Sequence, residues 1–92
     1  LNFTAPDRVK YPALDIAYDC LRRGGTAACV MNGSNEVAVA AFLRGKCGYL
    51  DIVGAIRYAL DNATFVARPT LNDYTLSNSE ARMLAERYLS TR

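Results

Sequence analysis

The 92 residues, 51% hydrophobic and 22% charged, make one domain able to bury roughly two-thirds of the surface its unfolded chain exposes, which excludes a large two-substrate enzyme as well as a disordered or fibrous chain. Eleven Lys and Arg against nine Asp and Glu leave a net charge of +2, with no basic run longer than two residues, so the clustered positive face of a nucleic-acid binder is missing. Histidine is absent, which removes the commonest general base and the commonest metal ligand.

Residues 1–12 contain Pro6, Asp7 and little periodicity and read as an extended arm or linker. There is no apolar stretch behind a basic start, so no signal peptide is expected, and the missing initiator Met suggests a piece of a longer chain. Pro12 suits the first turn of a helix. That first helix runs to about Arg23, with Leu14, Ala17, Tyr18 and Leu21 on one face. Gly24 and Gly25 stop it.

Thr26 is placed to cap the second helix, which carries V-M-N-G-S-N-E-V-A-V-A-A-F-L, Val30 to Leu43. At 100° per residue, Asn32, Asn35 and Glu36 share one face, while Val39 and Leu43 continue that face and Val30, Met31, Val37, Ala38, Ala41 and Phe42 make the other side apolar. Such a helix is expected to be buried all round, and its amides and carboxylate to need partners, because an unpaired buried amide costs on the order of 1–3 kcal/mol. Gly33 predicts a bend or break near Asn32 to Ser34, with Ser34 capping the helical segment beyond the break. The twenty residues from Gly24 to Leu43 carry one charge, yet the polar groups at their centre exclude a membrane span.

Gly45 and Gly48 bracket the next turn. The third helix is expected from about Asp51 to Asn62, with a stripe of Ile52, Val53, Ile56, Ala59, Leu60 and Ala63. Thr64 to Thr70 is a connector, and Thr70 with Asp73 has capping-box spacing around a short turn. The last helix is expected from about Ser77 to Leu89, with Ala81, Leu84, Ala85 and Tyr88 inward. The fold class is all-α: a small four-helix bundle, residues 13–92, with an extended N-terminal arm, residues 1–12.

Chemistry-bearing motifs are few. No nucleotide, Walker, zinc-protease or hydrolase signature occurs. Cys20, Cys29 and Cys47 are odd in number and widely spaced, and read as small buried hydrophobes in a reducing compartment. Gly24-Gly25 before Thr26 could in principle cradle an anion, but a helix stop followed by a cap needs no ligand and is the favoured reading. Asp15 and Asp19 sit one turn apart and lack a third metal ligand. That leaves Asn32, Asn35 and Glu36 as the only constellation, read as a structural polar joint where helices meet; catalytic, cofactor-binding and metal residues are expected to be none.

Several stretches in order resemble the C-terminal part of the 1-deoxy-D-xylulose 5-phosphate reductoisomerase family. They are F-T-A-P-D-x-x-x-Y-P (Phe3 to Pro12), L-x-x-A-Y-D-x-L-R-x-G-G (Leu14 to Gly25), the Val30 to Leu43 segment, G-x-x-G-Y-L-D-I (Gly45 to Ile52) and P-T-L-N-D-Y (Pro69 to Tyr74). The family typically has L-N-A-A-N-E-V-A-V-A-A-F-L at the central helix; here Met31 and Gly33-Ser34 replace Leu and Ala-Ala. The resemblance implies a helical support domain of a bacterial, cytoplasmic, homodimeric enzyme. That enzyme uses NADPH and a divalent metal, Mg or Mn, to convert its substrate to 2-C-methyl-D-erythritol 4-phosphate in non-mevalonate isoprenoid biosynthesis. It further implies that the partners of this segment are the catalytic and nucleotide-binding domains of the same chain, with no nucleic acid or membrane, and that the segment is inactive alone. The alternative is a free-standing helical interaction or DNA-binding module.

Overall fold

A computed structural model describes the backbone of residues 12–91 and the side chains of residues 15–91. Within them lie α1 (Pro12–Arg23), α2 (Ala27–Leu43), α3 (Tyr49–Asn62) and α4 (Leu71–Ser90), and no strand, in accord with the all-α bundle expected. Residues 1–11 of the expected arm lie outside the described residues. Arg22 and Arg23 occupy the last turn of α1, where cations meet the negative end of the helix dipole. Gly24, at φ +67, then turns the chain into the left-handed region that side chains resist.

Two expectations for α2 are corrected. The helix is unbroken over its 17 residues, because the Ser34 hydroxyl donates to its own preceding turn, to Val30 O at 2.7 Å and Met31 O at 3.1 Å, instead of capping a new segment. Nor is the helix buried all round: Gly33, Ser34, Ala38 and Ala41 are covered, whereas Asn32 and Glu36 are exposed and Leu43 is 76% exposed.

The third helix opens at Gly48, whose N–H donates to the Asp51 carboxylate at 2.9 Å, so the helix starts two residues before Asp51 itself. The last helix begins at Leu71, not Ser77. Thr70 N–H donates to Asp73 Oδ2 at 2.9 Å and Asp73 N–H to Thr70 Oγ1 at 3.2 Å. This reciprocal pair satisfies two orphan donors, so it opens a helix where the sequence suggested only a short turn. Ser77 lies inside that helix and is 5% exposed.

Short connections make α2 antiparallel to α3 and α3 antiparallel to α4, so α2 and α4 run parallel. Their contacts advance in step. Cys29 Sγ donates to Tyr74 O at 3.4 Å, Gly33 faces Ala81, and Glu36 meets Arg82. These three helices pack on one another, while α1 rests mainly on α2 and adds Ile16 and Cys20 to the core. The core is rich in alanine: Ala38, Ala55, Ala59, Ala81 and Ala85 are fully covered, beside Ile56. Small side chains bring helix axes close, and Gly54 completes this by lying under the Tyr88 ring, where any Cβ would strike the Tyr88 hydroxyl.

Candidate functional site

The expected polar joint divides in two. Glu36 Oε2 accepts a hydrogen bond from Arg82 Nη2 at 2.6 Å, and Arg82 Nε donates to Asn78 Oδ1 at 3.0 Å. Glu36 thus ties α2 to α4 across the parallel seam, through side chains 61% and 42% exposed. A pair so open to solvent is worth at most about 1 kcal/mol. Asn32 is exposed and Asn35 half-buried, and neither makes a side-chain hydrogen bond among the described residues. The three side chains share the face that helical periodicity requires, but the seam itself is closed by their neighbours. A Cβ on Gly33 would stand 3.3 Å from both Ala81 Cβ and Asn78 O, and Ser34 is fully covered.

A second joint was not legible as a pair. Thr26 N–H donates to Val66 O at 3.0 Å, and Val66 N–H donates back to Thr26 Oγ1 at 3.0 Å. The Thr26 hydroxyl therefore serves the connector between α3 and α4 and makes no cap bond to its own helix, contrary to expectation. The same contact fills the glycine turn. Gly25 has φ +55 and a Cβ there would collide with the Val66 carbonyl, so this turn is a socket for protein backbone and leaves no room for an anion. A threonine after two glycines was the available signal; its partner 40 residues away was not.

The groove between α1 and α3, about 420 Å³, is lined by Asp15, Asp19, Asp61, Arg22, Arg23 and Arg57. Three acids against three arginines give it no net charge, and Asp19 is engaged by Arg22 at 2.9 Å. Arg23 lies over the Phe65 ring, 5.1 Å from its centroid, a contact worth about 0.5–1 kcal/mol at an exposed site. Among the described residues no three His, Cys, Asp or Glu side chains converge as metal ligands, and no helix is long and apolar enough to cross a membrane.

All three cysteines are free thiols. Cys20 is buried as expected, but Cys29 and Cys47 are half-buried, their thiols directed at the carbonyls of Tyr74 and Ala38. Burial pushes the Cys20 thiol above its ordinary 9.0; Arg23 opposes this and Asp19 adds to it. A thiol held neutral is a poor nucleophile. The described surface therefore has joints and grooves but no converging acid, base and nucleophile.

A family model described as "DXP reductoisomerase C-terminal domain" matches residues 1–84. The 1-deoxy-D-xylulose 5-phosphate reductoisomerase of Xanthomonas campestris pv. campestris (strain B100) is 43% identical over 90 residues, covering 98% of this chain and 23% of that protein. That of Bacteroides fragilis (strain YCH46) is 39% identical over 85 residues, covering 92% and 22%. Among solved structures, the reductoisomerase from Zymomonas mobilis in complex with NADPH superposes with a TM-score of 0.87 at 40% identity, covering 99% of this chain and 24% of that one. The chain thus spans about a quarter of the length of the relatives it matches.

Proposed function

The chain belongs to the DXP reductoisomerase C-terminal domain family, and from that membership we propose that it is the non-catalytic C-terminal domain of an NADPH-dependent 1-deoxy-D-xylulose 5-phosphate reductoisomerase. The observation that carries the reading is the superposition of nearly the whole chain on a quarter of an NADPH-bound relative. The enzyme rearranges its substrate and reduces it to 2-C-methyl-D-erythritol 4-phosphate, in the bacterial cytoplasm, as a homodimer. NADPH and the divalent metal belong to the preceding nucleotide-binding and catalytic domains, and no chemical step runs through the residues of this chain. Residues 1–11 serve as the linker from those domains, and the bundle begins with α1 at Pro12.

Its contribution is positional. The bundle is a block whose α2–α4 seam, packed at Gly33, Ser34 and Ala81 and bridged outside by Glu36 and Arg82, holds its shape against the domains that precede it. Such support matters because a misplacement of about 1 Å at the reacting centre can cost on the order of 10²-fold in rate.

A hybrid enzyme tests this. The chain replaces the matching quarter of the Zymomonas mobilis enzyme, and NADPH oxidation is followed on addition of 1-deoxy-D-xylulose 5-phosphate. The hybrid is expected to keep on the order of a tenth or more of the parent rate, since correct docking avoids the ~10²-fold penalty of misplacement. A folded, monodisperse hybrid that turns over no substrate sinks the proposal.

A further inference from the structure

Asn32 is the one asparagine of the chain followed directly by a glycine. Its side chain is exposed and makes no hydrogen bond among the described residues, so nothing restrains the carboxamide from turning toward its own backbone. Glycine offers no Cβ to hinder that approach. In an open chain the Gly33 backbone nitrogen can therefore attack Asn32 Cγ. The new N–Cγ bond closes a succinimide, the Cγ–Nδ2 bond breaks, and Nδ2 departs as ammonia, taking up through water the proton that the Gly33 N–H gives up. One water then opens the ring. Addition at Cγ leaves aspartate in an unaltered chain, whereas addition at the Asn32 main-chain carbonyl carbon leaves isoaspartate, with the backbone rerouted through Cγ and one carbon longer.

The folded bundle withholds the conditions of that reaction. α2 is unbroken through Asn32 and Gly33, so the Asn32 backbone is fixed at helical dihedrals and the Gly33 N–H is held in a hydrogen bond to the carbonyl four residues back. Local rotation is barred as well, since Gly33 is buried and the place of its missing Cβ lies 3.3 Å from Ala81 Cβ and Asn78 O on α4. Seam closure and reactivity are thus mutually exclusive. Nor can the isoaspartate product return, because an extra backbone carbon at residue 32 breaks the hydrogen-bond ladder of α2 at its point of close packing on α4. We propose that Asn32–Gly33 is a deamidation site gated by the α2–α4 seam: protected while α4 covers α2, converted to isoaspartate when the seam opens, and in that form a block to its closing again.

The chain is incubated at mildly alkaline pH across a urea series, its helix content followed by circular dichroism, and its asparagines assayed by peptide mass spectrometry with fragmentation that separates isoaspartate from aspartate. In unfolding urea, Asn32 is expected to react at least about tenfold faster than Asn62, whose neighbour Ala63 carries a Cβ; Gly33→Ala should bring it down to the rate of Asn62. In buffer the rate at Asn32 is expected to fall about a hundredfold, because a reaction of the open form tracks the population of that form, and a minor state holds about 1%. The isoaspartate chain, purified and returned to buffer, should melt below the parent. A rate in buffer equal to that in unfolding urea overturns the gate. Parity of Asn32 with Asn62 in urea, or no effect of Gly33→Ala there, overturns the site. An isoaspartate form that regains the helix content and melting temperature of the parent overturns the block to closure.

Discussion

The seam between α2 and α4 and the flank where α1 rests on the bundle are held by different means. At the seam, Gly33, Ser34, Ala81 and Ala85 are buried and the backbones meet at the distance those small residues permit; the charged contact between Glu36 and Arg82 lies outside it, in solvent. At the flank only Ile16 and Cys20 reach the core from the described part of α1, and the rest is a balanced set of charges, one cation over a ring and the bridge between Thr26 and Val66. The seam is thus specified by volume, with almost no tolerance, and the flank by a few polar contacts that can be removed one at a time.

Substitutions at the two places should separate these modes. The largest effect is expected from Gly33→Leu, because the Cβ alone meets Ala81 Cβ and Asn78 O at 3.3 Å and the remaining atoms have no space. Overpacking of this kind costs about 3 kcal/mol, a fall in Tm on the order of 15 °C for a domain of this size, read by circular dichroism during heating. A variant that melts within a few degrees of the parent would show that the seam yields and that the contrast is wrong.

Thr26→Val strikes the flank with a smaller change. Shape is kept but the Val66 N–H loses its acceptor, so a loss of about 1–2 kcal/mol is expected, together with faster amide exchange at Val66. Exchange at Val66 unchanged from the parent would mean that the bridge does not anchor the connector. The smallest effects are expected from Glu36→Gln at the seam and Arg22→Ala at the flank, each below about 0.5 kcal/mol and diminishing further in salt. If either exceeded Thr26→Val in a denaturant titration, charge would matter more than packing in that region.

Much of this fold is legible in the sequence, and two of the misreadings share an origin. The glycine stops after Arg23 and Leu43 and the apolar stripe from Ile52 to Ala59 come directly from local rules. Helical periodicity also groups Asn32, Asn35 and Glu36 correctly. What it does not reveal is which side of α2 is covered, because hydrophobicity ranks glycine and serine low while close helix packing selects them for their size. Ser77 misleads for the same reason: Ser-Asn-Ser-Glu resembles a helix start, but Ser77 is small and buried inside α4, its hydroxyl without a hydrogen-bond partner. The Thr26 bridge fails differently, since a pairing 40 residues long leaves no local trace.

Parallel alignment of α2 with α4 has a kinetic corollary. Its bonds join residues 45 and 46 positions apart, whereas each antiparallel neighbour pair closes over a short loop, so the widest seam carries the greatest loop-closure entropy. The two hairpins can form early on their own, but α2 gains its main neighbour only once α4 has folded back beside it. During synthesis, therefore, the α2 face at Gly33 stays uncovered until the residues around Ala81 fold back beside it, and a pause within that interval prolongs its exposure.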